Sequence, residues 1–300
     1  MWEGHWTPKE FNFLSDIHQF KIALNDKERE IITKSLATIS QIETKVKLWW
    51  SRLGDALPHP SIIDMGLVMA QIEVIHNKAY EKLLDVLQLQ GAFEDCLKLD
   101  IIDRREKYLT KYIKNVYKNG HKQFLYSVIL FTLFVEYVSL FGQFYVILHF
   151  NRFKNVLKDT AQQVQYTKNE ELLHSLAGIK IINTIREECP ELFDEDLEER
   201  IVAEAKEAFK AEAAIIDWIL GDYEDEKLTP NILKEYIKNR INWSMEEIGF
   251  SSVFDIDEAL LEESQWMEEE VYGNNKIDFF HKRAVEYSVN SQSYDEDALF

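Results

Sequence analysis

Two Glu-x-x-His steps stand far apart in the chain, Glu73-Val74-Ile75-His76 and Glu171-Leu172-Leu173-His174. On a helix, residues three apart are surface neighbours, so each step presents a carboxylate and an imidazole on one face. Divalent iron and manganese accept mixed carboxylate and imidazole ligands. Two such steps, joined by single glutamates from two other helices, form the ligand set of a dinuclear iron or manganese site inside a helical bundle. Glu136 is the natural third contributor, as the only Asp, Glu, Lys or Arg between Phe124 and Phe150. A buried carboxylate without a cation or hydrogen bonds is costly, so its presence asks for a partner. Glu43, after Ser40-Gln41-Ile42 on an earlier helix, can supply the fourth acid. Glu73 and His76 are expected to serve one ion, and Glu171 and His174 the other. Four carboxylates and two divalent cations cancel in charge, which makes burial tolerable.

A lone Glu-x-x-His is usually a solvated helix face. Glu73 and His76, however, stand among Met65, Leu67, Val68, Met69, Ile72, Val74 and Ile75, a segment too apolar for that. Glu171 and His174 have Leu172, Leu173 and Leu176 beside them but also Lys168, Asn169 and Glu170, and gain their weight from the first pair. Zinc fits less well, because its structural sites prefer Cys and His in smaller number. Of the other histidines, His5, His18, His59, His121 and His281 sit in polar contexts and read as surface residues. His149 reads as a cap on the apolar helix. None is assigned to the site.

The elements that must carry these residues are helices. Ten glycines and five prolines punctuate 300 residues, and few stretches alternate with strand period. Asn25-Asp26-Lys27-Glu28 has capping-box spacing and opens a helix expected to reach about Leu53. Pro60 suits the first turn of the next helix, which carries Glu73, His76 and Tyr80 and stops near Gly91. A charge-rich helix is expected from Phe93 to Lys118. The apolar helix follows to about Phe150, and another runs to about Ile185 with Glu171 and His174. An acidic helix spans Asp194 to Leu220, and one more follows Pro230. The fold class is all-α, a helical bundle with the dimetal site in a four-helix core. Residues 1–275 form the helical domain and 276–300 a flexible tail, with Leu299-Phe300 as a candidate docking anchor at its end.

Composition narrows the function. The hydrophobic share, 46%, is that of a globular protein. A net charge of −19 argues against a nucleic-acid surface and suits a cytoplasmic protein. Cys96 and Cys189 read as reduced thiols rather than a disulfide framework. The first residues have neither a basic start nor an apolar run, so no signal peptide is expected. Phe124 to Phe150 is long enough to span a bilayer, but Glu136 would then sit at mid-depth. The central helix of a soluble bundle is the preferred reading, with no membrane.

With these residues in place, the chain resembles the small, radical-generating subunit of class I ribonucleotide reductase, from Trp6 to the C-terminus. That family orders its ligands as one acid, Glu-x-x-His, one Glu, Glu-x-x-His; here the order is Glu43, Glu73, His76, Glu136, Glu171, His174. A family tyrosine follows the first ligand histidine by four residues, the place of Tyr80. Trp6-Thr7-Pro8-Lys9-Glu10 resembles the N-terminal motif whose tryptophan carries an electron between cluster and partner subunit. Glu170 stands where the family has an aspartate linking that tryptophan to the ligand histidine. The stretch from Lys276 to Tyr287 is similar to the one ahead of the family's tail, which makes Tyr287 the tail tyrosine of the radical relay. Glu43 replaces the more usual aspartate, and some branches with altered first ligands use manganese. Other branches store the oxidant on the metals, so Tyr80 does not by itself identify the radical.

The resemblance implies two metal ions per chain, Fe and/or Mn, and a homodimer partnered by the large catalytic subunit of ribonucleotide reductase. The small subunit generates and stores a one-electron oxidant for ribonucleotide reduction. The same fold also serves substrate oxidases of the desaturase or hydroxylase type and non-enzymatic metal stores; Trp6 and the tail favour the reductase.

Overall fold

The computed structural model describes residues 6–43, 47–110 and 120–272. His5, His281, Tyr287 and the whole tail, 276–300, lie outside the described residues.

A short helix, α1 (Leu14–Ile22), leads to α2 (Asp26–Glu43). The capping box forms: Asn25 N–H donates to Glu28 Oε2 at 2.9 Å, and Glu28 N–H to Asn25 Oδ1 at 3.0 Å. The helix α2 is described to Glu43, and α3 (Lys47–Ser51), which ends just short of Leu53, places Trp49 and Trp50 in the core. Pro60 starts α4 (Pro60–Val86), and His59 caps it by accepting from Ser61 N–H at 3.3 Å. The charge-rich stretch is two helices rather than one, α5 (Gln90–Cys96) and α6 (Asp100–Thr110). Three-residue turn bonds, Lys98 N–H to Asp95 O and Leu99 N–H to Cys96 O, interrupt the ladder between them. The bend lets Cys96 and Ile102 both reach the core.

The apolar run forms α7 (His121–Leu130), a π-helical segment (Phe131–Ser139) and α8 (Phe141–Lys154). It is long and apolar enough to cross a membrane, but its apolar stretch is buried inside the protein throughout. The helix continues past His149, which is therefore an interior, fully buried residue and not a cap. Asn155, at φ 55°, ends it by donating its N–H to Asn151 O.

Next comes α9 (Lys158–Glu188), capped from a distance. Buried Asp16 accepts from Thr160 N–H at 2.7 Å and Asp159 N–H at 3.3 Å, placing an anion at the positive end of the helix. Asp194 caps α10 (Glu195–Leu220), Thr229 caps α11 (Pro230–Glu247), and α12 (Glu258–Glu262) and α13 (Gln265–Tyr272) follow. Helices α2, α4, α8 with its π-helical lead-in, and α9 pack on one another as a four-helix core, with α10 and α11 against it. No strand forms among the described residues. Both cysteines are free thiols.

Candidate metal centre

Each helix of the core brings acids inward. Glu43 lies at the end of α2, Glu73 and His76 on α4, Glu136 in the π-helical segment, and Glu171 and His174 on α9. All six are at most 1% exposed. They form two groups whose ligand atoms lie within 4.8 Å of one another: Glu43, Glu73, His76 and Glu171, and Glu73, Glu136, Glu171 and His174. Glu73 and Glu171 therefore belong to both. Each Glu-x-x-His step stays together within one group, Glu73 with His76 and Glu171 with His174, and the acid of each step reaches the other group as well. His174 Nδ1 is 2.9 Å from Glu73 Oε1, and His76 Nδ1 is 3.1 Å from Glu171 Oε1, so each imidazole faces the acid of the other step. Two antiparallel helix faces in contact produce this crossing, which spacing along one helix does not reveal.

The donor set fits a pair of divalent ions. Both carboxylate oxygens of Glu43 and of Glu73, and the Nδ1 atoms of both imidazoles, are buried without a hydrogen-bond partner. Orphaned polar atoms in a dry core are rare and costly unless a cation satisfies them. Burial pushes the Glu43 carboxyl up to about 8, against the pull of His76. Burial also holds Glu136 well above the ordinary carboxylate range, with Glu171 and Glu73 adding repulsion. Burial works to raise Glu171 as well, but the adjacent Glu136, His174 and His76 outweigh it and hold this carboxyl low. Burial opposes charge on the imidazoles, yet Glu43 and Glu170 beside His76, and Glu136 and Glu171 beside His174, raise both well above the usual value. The pocket attracts positive charge.

The outer contacts sort the site further. His76 Nε2 is bonded to Glu170 Oε2 at 2.7 Å, and the same oxygen accepts from Trp6 Nε1 at 2.8 Å. The link from Trp6 to His76 closes with glutamate in the aspartate's place. Trp6 is fully buried and stacks on His76 at 6.2 Å between ring centroids. Tyr80 is buried too, and its hydroxyl donates to Thr167 Oγ1 at 3.3 Å rather than to one of the acids. Burial, then the nearby Glu43, pushes its phenol far above the usual value, so it is protonated at any physiological pH.

Several neighbours carry no sequence signal of their own. Trp50 donates Nε1–H to Glu136 Oε1 at 2.8 Å. Tyr166 packs on Trp6 at 5.8 Å. Gly178, one turn beyond His174, lets α9 meet the π-helical segment: a Cβ there would collide with the side chain of Thr132. Only the tertiary fold identifies these three.

Known proteins share this architecture. The ribonucleotide reductase small-chain family model matches residues 1–265. The chain is 24% identical to the ribonucleoside-diphosphate reductase subunit beta of Chlamydia pneumoniae over 310 residues, 95% of this chain and 84% of that one. Its fold is similar to the ribonucleotide reductase R2 subunit from Clostridium botulinum, with TM-score 0.79, 17% identity, and 89% and 84% of the two chains covered. It is also similar to a tyrosine-to-phenylalanine mutant of an R2-like ligand-binding oxidase with a Mn/Fe cofactor. That match has TM-score 0.69, 18% identity, and 81% and 88% coverage. With the family model spanning nearly all of it, the chain belongs to the ribonucleotide reductase small-chain family.

Proposed function

We propose that the six converging side chains hold two Fe and/or Mn ions and that the protein supplies the oxidant of a class I ribonucleoside-diphosphate reductase. The observation that carries this reading is the sharing of Glu73 and Glu171 between two ligand groups, which would let both acids reach both ions. When bound, the metals supply one-electron redox chemistry. The chain's own residues do the rest. Glu170 holds the Nε2 side of His76, leaving Nδ1 turned to the acids, and the same carboxylate ties Trp6 to that imidazole. Trp6, Glu170 and His76 form the conduit by which the oxidant leaves. Tyr80, buried beside the acids with its hydroxyl turned to Thr167, is the side chain set to hold the oxidising equivalent. Tyr287 in the tail completes the relay to the large subunit, and residues 276–300 dock there.

The outer face of α4 supports a homodimer. Ile63, Leu67 and Val74 are exposed at 38%, 54% and 48% and fall on one stripe of that helix. The charge of −19 and the burial of the apolar helix support a cytoplasmic protein that binds neither nucleic acid nor membrane. Activity is the test. Protein loaded with Fe(II) and Mn(II) should support ribonucleoside diphosphate reduction only when mixed with a class I large subunit. Direct oxidation of an apolar substrate without that subunit would favour the oxidase reading instead.

A further inference from the structure

The segment carrying Glu136 is π-helical from Phe131 to Ser139 and returns to α geometry at Phe141. Bonds in a π-helix run i→i+5, so a return to i→i+4 leaves carbonyls at the junction without a ladder N–H. Side chains from other helices donate to two carbonyls at this junction. Arg240 on α11 donates Nε–H to Tyr137 O at 2.9 Å. Arg105 on α6 donates to Ser139 O. Ser139 Oγ in turn donates to Phe134 O at 2.5 Å.

Both arginines are at most 1% exposed. Glu212 neutralises Arg105 through two bonds of 2.9 Å. The Arg240 guanidinium lies over the rings of Tyr137 and Phe141, at 3.7 and 3.4 Å from their centroids, with Glu268 of α13 at 3.8 Å. Burying a guanidinium is costly even when it is paired. Two of them bonded to neighbouring carbonyls of one short stretch therefore ask for a reason, and Tyr137 directly follows Glu136. Reversion of that stretch to α geometry would turn Glu136 by roughly 100° about the helix axis, one residue's rotation.

We propose that Arg240 is a positioning residue for Glu136: its bond to the Tyr137 carbonyl holds the π-helical register that faces Glu136 toward Glu73, Glu171 and His174. This rests on the dimetal reading above. Arg105 braces the same junction from a second helix.

The test is a Mn(II) titration of the full chain, followed by EPR, on wild type, Arg240→Met and Arg240→Lys. Wild type should bind two Mn(II) per chain with the spectrum of a coupled pair. Arg240→Met should keep one tight Mn(II), give the spectrum of an isolated ion, and lose about tenfold or more in affinity for the second. Arg240→Lys should recover part of that affinity, because it keeps the charge but not the planar fork. An arginine that serves only the fold would lower the melting temperature while both variants still bind two coupled Mn(II), and that result overturns the proposal. If Arg240→Met does not fold, Arg240→Lys decides alone: wild-type affinity for both ions overturns the proposal, and weakening of one supports it. Failure of wild type itself to bind Mn(II) would instead sink the dimetal reading.

Discussion

His76 Nε2 and Glu170 Oε2 lie 2.7 Å apart, and this bond decides which imidazole nitrogen is left for the metal pocket. With Nε2 engaged, Nδ1 faces Glu171 at 3.1 Å and Glu43 at 3.5 Å. The same Glu170 oxygen holds Trp6. One carboxylate thus touches both the His76 imidazole and the Trp6 indole.

Removing it should separate the two contacts. Glu170→Ala is expected to weaken metal binding about 10- to 100-fold, the usual cost of losing the partner of a ligand histidine. At saturating metal, turnover with the large subunit should still be depressed, because Trp6 has lost its link. Metal titration and steady-state assays on one preparation check both. Unchanged affinity would show that Glu170 does not orient His76.

Tyr80→Phe removes a buried hydroxyl that bonds Thr167 and leaves the acids untouched. Metal content should stay at the wild-type level. An organic-radical EPR signal should vanish, and turnover should fall about 100-fold or more, a loss of roughly 3 kcal/mol or more in transition-state terms. Full turnover in the variant would place the stored oxidant on the metals.

Much of this site is legible in the sequence because its chemistry is spelled in residue types. A glutamate inside an apolar helix and two Glu-x-x-His steps together suit little besides metal ligation, and the four-helix core follows from them. What the sequence hides is relational. Nothing in the run around Glu136 announces a π-helix, whose wider turn is stabilised by Arg240 and Arg105 from remote helices. The sharing of Glu73 and Glu171 emerges only where two helices meet. The break between α5 and α6 escapes sequence reading for a related reason. It lets apolar residues on both sides turn inward, a tertiary gain that overrides helix propensity.

Gly178 should prove intolerant. Its nearest neighbour, Thr132, is fully buried and cannot yield. Gly178→Ala is expected to cost about 1–3 kcal/mol as overpacking and to lower the melting temperature by several degrees. Metal affinity should drop with it, since the clash spreads α9 from the segment bearing Glu136. Adding Thr132→Ala should restore part of both losses. A stable, metal-binding single variant would show that the contact is loose.

His149 predicts a pH dependence outside the metal pocket. Its ring is buried, neither nitrogen has a hydrogen-bond partner, and Asp225 is 3.7 Å away. Burial lowers its pKa to about 4, despite the opposing pull of Asp225. An unfolded chain takes up this proton near pH 6.5 and the folded one only near 4, so the contribution is intact above 6.5. It is lost as pH falls between those values, by up to about 3 kcal/mol. His149→Phe should flatten the denaturation profile over this window. An unchanged slope would mean that other groups carry it.

Whether Glu73 and Glu171 bridge two ions is decided by metal per chain, measured by elemental analysis after reconstitution for wild type and three single variants. Wild type should hold two ions, Glu136→Ala one, and Glu73→Ala and Glu171→Ala neither, because those two acids belong to both ligand groups. Loss of only one ion from Glu73→Ala and Glu171→Ala would contradict the shared-carboxylate geometry, and a wild type without metal would contradict the function built on it.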